Sequence, residues 1–117
     1  MDLSALQSYM LAKPDTREDT PFGPDALVYK VRHKLFAILI PGNPARLNLK
    51  CDPQQALILR EQYPAIIPGY HMNKRHWNTL ILDGSLPAGL AEHLIDHSFA
   101  LVVAGMPKKQ QIGLLAD

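Results

Sequence analysis

Between residues 26 and 50 the chain reads ALVYKV, RHK, LFAILI, PGNPA, RLNLK: three strand-like runs joined by links too short to hold a helix. Runs rich in β-branched and aromatic residues with such short links pair antiparallel, because a parallel pair needs a crossover of about a dozen residues or more. The chain is therefore committed to a β-meander. Its second arm, Leu35 to Ile40, is apolar at every position, which predicts a central strand covered on both faces. In the third arm Leu47 and Leu49 alternate with Arg46, Asn48 and Lys50, so the period of two sends the leucines inward and the cations outward. Arg32, His33 and Lys34 form a cationic tip between the first two arms.

Further along, WNTLIL (Trp77 to Leu82) predicts a fourth strand, ended by Asp83-Gly84, with Trp77, Thr79 and Ile81 on one face and Asn78, Leu80 and Leu82 on the other. Three principal helices and a short last one are expected. Leu3, Leu6 and Met10 recur at helical spacing, with a Ser4-to-Gln7 capping box as one of the starts open to it and Lys13-Pro14 as the stop. Asp52 reads as an N-cap with Pro53 at the first helical position and Pro64 as the stop. The third helix is expected to be capped by Ser85, to carry Leu90, Leu94, Leu101, Val102 and Val103 on its apolar face, and to end at Gly105, with a short last helix over Pro107 to Leu115. Pro14 to Asp25 reads as a surface loop, and Ala65 to His76 mainly as loop. Strands in a run flanked by helices predict one α+β domain over residues 1–117, a mostly antiparallel sheet with its helices packed on one face. The other sheet face, or the hairpin tips, would then be free to meet a partner.

No apolar run, Leu35 to Ile40 included, approaches the roughly 20 residues that span a membrane, and MDLSALQSYM lacks the basic start and apolar middle of a signal peptide. A cytoplasmic protein is expected. The single cysteine, Cys51, cannot form an intramolecular disulfide, in keeping with a reducing compartment. Its place before a helix start would suit a lowered thiol pKa, but a plain structural cysteine is the preferred reading.

No nucleophile elbow, phosphate-binding glycine loop or zinc-type cysteine cluster occurs in the chain. His93 and His97 share a helix face with Asp96 beside them, half of a metal site at most, and only His71 and His76 offer themselves as further ligands. A solvated helix face is the better reading there, and a solvated loop is the better reading of Asp15, Glu18 and Asp19. Neither catalysis, cofactor nor metal is expected.

Charge is the more informative signal. The net charge is only +1, yet residues 30–80 hold eight of the 12 lysines and arginines against two carboxylates, Asp52 and Glu61. The cations fall in separate groups: Lys30, Arg32 and Lys34 around the hairpin tip, Arg46 and Lys50 on the third arm, and Lys74 and Arg75 with Asn73 and His76 before the fourth strand. Phosphate contacts need cations spaced along one surface and little else. Trp77, next to this last group, serves either as a packing anchor or as a stacking surface for a base. No helix presents a run of Arg, Asn or Gln for base readout. The expectation is a non-enzymatic, monomeric, largely sequence-independent DNA-binding protein. The alternative is a protein-interaction or small-ligand module built around Tyr70 to Trp77.

Several stretches together, KPDTREDTPFGPD, VYKV, HMNKRHWNTLILDGSLP and LAEHLIDHSFALV, resemble the MmcQ/YjbR family of small bacterial proteins over about Lys13 to Val103. The most specific matches are His71, Met72, Asn73, Lys74, Trp77 and the run Asp83-Gly84-Ser85-Leu86-Pro87, with Pro21-Phe22-Gly23 and Lys30-Val31 secondary. The resemblance implies a CyaY-like α+β fold in a double-wing arrangement associated with DNA binding, and it brings no catalytic residues. Iron binding in the frataxin-like fold uses an acidic helix face; the first helix here carries only Asp2, so iron is not expected.

Overall fold

The alternation in the meander is realised as predicted in a computed structural model that describes residues 2–70 and 72–115. In chain order the elements are α1 (Leu3–Leu11), β1 (Thr16–Asp19), β2 (Leu27–Val31), β3 (Lys34–Ile40), β4 (Ala45–Lys50), α2 (Pro53–Gln62), β5 (Ile66–Pro68), β6 (Trp77–Leu82), α3 (Leu90–Ala104) and α4 (Lys108–Gln111). All six strands join one antiparallel sheet of order β1-β2-β3-β4-β6-β5. The fold is α+β, as the order of elements implied.

Cross-strand partners share a face, so the register sorts the side chains. Tyr29, Ala37, Leu39, Leu47, Leu49, Leu80 and Ile66 form one buried cluster with Leu6 and Met10 of α1, Ala56 and Leu59 of α2, and Ile95, Phe99 and Val103 of α3. The helices thus cover a single face, so β3 is central in the sheet but not covered on both faces as its apolar run implied: Leu35, Ile38 and Ile40 are only half-buried on the face without helices. The other face carries Arg17, Lys30 and Leu35 in one row, Asp19, Val28, Ile38, Asn48, Thr79 and Ile67 in the next, and Ile40, Arg46 and Ile81 beyond, with Lys50 opposite Trp77. Of these, Val28, Asn48 and Thr79 are buried and the apolar remainder half-buried.

A β-bulge shapes the central strand. The register of β2 with β3 passes from Tyr29↔Ala37 to Lys30↔Leu35, which leaves Phe36 as an extra residue turned into the core, edge-on to Phe99 with ring centroids 5.3 Å apart. The β3–β4 ladder ends at Ala37↔Leu49, and one position further the Ser98 hydroxyl of α3 bridges the two strands, accepting from Lys50 N at 2.9 Å and donating to Phe36 O at 2.6 Å. One side chain therefore satisfies two groups that would otherwise be left unpaired. Between α1 and α3, Asp96 accepts from Tyr9 Oη at 2.7 Å and pairs with Lys13 Nζ at 2.6 Å. The hydrogen bond to Asp96, with burial, pushes the Tyr9 phenol up to about 12.

Four local expectations are corrected. Asp2, not Ser4, caps α1, accepting from Ser4 N at 3.0 Å. α3 starts at Leu90 after Gly89 in the left-handed region (φ 84°), while Ser85 instead closes a tight turn on Asp83 Oδ1 through its N–H and hydroxyl. That hydroxyl and amide hold the Asp83 carboxyl below its usual range. The two segments read as loop contain the edge strands β1 and β5. Both are short, and β1 is wholly polar while β5 ends in Pro68, the features that keep an exposed sheet edge from recruiting further strands.

Candidate nucleic-acid interface

Antiparallel order decides which ends of the strands meet. The start of β1, the β2–β3 turn, the end of β4, the start of β6 and the loop after β5 all lie at one end of the sheet. Lys30, Lys34, Lys50, Lys74 and Arg75 are thereby gathered at that end, with His33 and His76 among them and Asp15 and Asp52 the carboxylates nearby. Lys30 on β2 and Trp77 on β6 are three strand spacings apart, about 14 Å. Lys34, Lys74 and Arg75 are exposed; Lys30, Lys50 and His76 are half-buried.

The loop that carries Lys74 and Arg75 is shaped by its neighbours. Asn73 Oδ1 accepts from Arg75 N at 2.9 Å and Asn73 O from His76 N at 3.2 Å, so Asn73 builds the turn that carries the two cations, of which Lys74 turns back to donate through Nζ to Gly69 O at 3.3 Å. Cys51 N donates to His76 O at 2.7 Å, extending the β4–β6 ladder. From beneath, the Arg60 guanidinium of α2 donates to Asn78 Oδ1 at 2.7 Å, to Trp77 O at 3.3 Å and to Lys74 O. Arg60 was counted among the cations but not among the contact residues. Its role as the loop's fastening depends on a turn of helix and a strand start meeting 14 to 18 residues apart, which no local pattern announces.

Trp77 is half-buried and outside the core cluster. It packs under the loop: a Cβ on Gly69 would lie 2.8 Å from Trp77 Cβ, 2.9 Å from Trp77 O and 3.1 Å from Met72 Cβ, so only glycine fits. Gly69 N donates to Trp77 O at 2.9 Å, and Tyr70 N to Thr79 Oγ1 at 3.0 Å. Thr79 in turn donates to Asn48 Oδ1, a buried polar pair on the helix-free face.

Two predicted contact residues are placed elsewhere. Arg32, at φ 55° in the β2–β3 turn, donates through Nε to Asp15 Oδ2 at 3.0 Å and through its other nitrogens to Gln110 O and to Ile112 O (3.0 Å). It ties the hairpin tip to the α1–β1 turn and to the C-terminal end of α4, so the tip is not a free cationic finger. Arg46 sits at the far end of β4, exposed, with its guanidinium 5.9 Å from the Tyr70 ring centroid. Four β-residues separate it from Lys50, about 13 Å.

The remaining candidates are otherwise engaged. Asp96 is held by Lys13 and Tyr9, and His97 Nε2 accepts from Asp52 N at 3.3 Å; His71 lies outside the described residues. Among the described residues no group of three or more His, Cys, Asp or Glu is placed to hold a metal. Cys51 is buried, and burial followed by the nearby Asp52 pushes its thiol up to about 11, opposite to the shift expected of a reactive cysteine at a helix start. No helix among the described residues is long and apolar enough to cross a membrane.

Residues 11–101 match the family model YjbR. The chain is 35% identical over 113 residues to YjbR of Escherichia coli K12, covering 95% of each, and 42% identical over 93 residues to YbdF of Escherichia coli O157:H7, covering 78% of this chain and 75% of that one. Among solved structures, the Deinococcus radiodurans protein DR2400, described as a DUF419 domain, superposes with a TM-score of 0.88 at 34% identity over 98% of this chain and 95% of that one. A Pseudomonas syringae protein does so with a TM-score of 0.75 at 34% identity, over 87% of this chain and 99% of its own. The chain belongs to the YjbR family.

Proposed function

We propose that this YjbR-family chain binds DNA through the basic end of its sheet, by sequence-independent phosphate contacts and without catalysing a reaction. The observation that carries this reading is the convergence of Lys30, Lys34, Lys50, Lys74 and Arg75 from three separated segments onto one end of the sheet. Arg32 contributes by holding the hairpin in place, Asn73 by shaping the loop, and Arg46 lies on the same sheet's helix-free face. The double-wing association of the resemblance and a cytoplasmic location belong to the same reading.

With about four phosphates neutralised, log K against log salt falls with a slope of roughly −3 to −4 on duplex DNA. Fluorescence anisotropy of a labelled DNA oligonucleotide at several salt concentrations measures that slope. The double variant Lys74→Glu/Arg75→Glu, both exposed, is expected to lose most of the affinity while folding normally. A flat salt response, or an unaltered affinity in the double variant, refutes the reading.

One feature favours a protein partner instead. Leu57 and Ile58 of α2 are 61% and 55% exposed, and Leu57 borders a hollow of about 470 Å³ with Pro53, Gln54, Arg60, Lys74 and Arg75. A stoichiometric partner that survives nuclease and is lost in Leu57→Ser would support this second reading; loss of every partner on nuclease treatment counts against it.

A further inference from the structure

Resting on the nucleic-acid reading above, we infer that the form recognised is single-stranded, lying across the helix-free face of the sheet with unpaired bases against Tyr70 and Trp77. The chemistry of that face differs from what phosphate contacts alone require. Among the described strand residues, Arg17, Lys30, Arg46 and Lys50 stand on it against one carboxylate, Asp19, a balance suited to a polyanion. Between them are two aromatic side chains, Tyr70, 51% exposed with Arg46 beside its ring, and Trp77, which lies opposite Lys50. Base faces stack on such rings, with sequence tolerance, only when the bases are not already stacked inside a duplex.

The backbone at Tyr70 is tied to the sheet. Tyr70 N is held by Thr79 Oγ1, which is held by Asn48, and both of these side chains are buried in adjacent strands. A duplex would need an element able to enter a groove or grip its two backbones. The β2–β3 hairpin tip, the natural candidate, is fastened down by Arg32 to Asp15, Gln110 and Ile112. The exposed side of α2 sets Leu57 and Ile58 among Gln54, Gln55, Glu61 and Gln62 and carries no exposed lysine or arginine to hold the helix against a duplex backbone. Arg46 and Lys50, about 13 Å apart along β4, flank the aromatic pair as phosphate positions would flank a short run of stacked nucleotides.

The full chain is titrated at low salt with oligo(dT), with oligo(rU) and with a mixed-sequence duplex of equal phosphate content. Binding is followed by anisotropy and by the emission of Trp77, the chain's single tryptophan. Tighter binding of the single strands with quenching of Trp77 is expected, and the dT and rU arms report whether DNA or RNA is preferred. Tyr70→Leu, which keeps apolar bulk without a π face, should weaken single-strand binding roughly five- to a hundredfold, the loss of about one stacked base. If Tyr70→Leu fails to fold, Arg46→Glu, exposed and beside the ring, replaces it with the same readout. Duplex binding as tight as single-strand binding, or an unaltered affinity in these variants, overturns the inference and leaves the basic-end reading standing. A dimer of the free chain that Tyr70→Leu dissociates would assign the face to a second copy and also overturn it. Binding of neither nucleic-acid form sinks both.

Discussion

Arg60 is half-buried and fastens the cationic loop from below, and replacing it with methionine separates that fastening from helix propensity and from the packing of its aliphatic stem. Three acceptors lose a charged donor: Asn78 Oδ1, Trp77 O and Lys74 O. The carbonyls lie toward the surface, where water replaces the guanidinium at little cost. Asn78 is 2% exposed, and its amide nitrogen already points to Ala56 O at 3.4 Å, so its oxygen is left without a donor. One orphaned buried acceptor costs about 1–3 kcal/mol, and a central value of about 2 kcal/mol lowers the melting temperature of a domain this size by roughly 6–10 °C. Thermal unfolding followed by circular dichroism reads the first effect. Amide exchange reads the second: Arg75 and His76 N–H, held by Asn73 in the fastened loop, should exchange faster than in the wild type, while amides of β2 and β3 should change only with global stability. A melting curve indistinguishable from wild type, or protection in the loop left intact, would show that the guanidinium does not hold it.

Ser98→Ala leaves both Lys50 N and Phe36 O without the bridging hydroxyl and should cost roughly 2–4 kcal/mol in urea unfolding, with faster exchange at Lys50 N–H as its local mark. Gly69→Ala forces a Cβ against Trp77 Cβ and O, so a destabilisation of roughly 1–3 kcal/mol and a shifted Trp77 emission are expected; unaltered emission would refute the close approach. Burial alone would raise the Asp96 pKa, but the Lys13 ion pair and the Tyr9 hydrogen bond outweigh it, and the carboxyl titrates below its ordinary value. A depressed carboxyl pKa stabilises the fold above the ordinary carboxylate pKa and loses that contribution as pH falls through the folded value. The stability gap between wild type and Asp96→Asn should therefore close on acidification, and a gap independent of pH would refute the assignment.

Most of the fold follows from patterns a few residues long. The alternation of Leu47 and Leu49 with Arg46 and Lys50, the apolar run of β3, the two faces of β6 and the Asp52-Pro53 start of α2 are all local devices, and all appear in the structure. The edge strands were missed for a physical reason. β1 is wholly polar and β5 has only three residues, too few for an alternation to show although Ile66 reaches the core, and their pairing is supplied by β2 and β6. The site was legible as a list of cations and illegible as a surface. Which cations are free and which are structural depends on partners far away in the chain: Arg32 on Gln110 and Ile112, Arg60 on Lys74 and Asn78.

What the residue order determined by itself is therefore the set of central strands, the principal helices and the supply of positive charge, because periodicity and capping act over one or two turns of chain. Only the tertiary structure decided that the antiparallel order would bring Lys30, Lys34, Lys50, Lys74 and Arg75 to a common end and set Tyr70 and Trp77 on the uncovered face. Those placements arise from strand pairing between segments distant in sequence, and pairing is settled by the burial of the whole sheet against its helices.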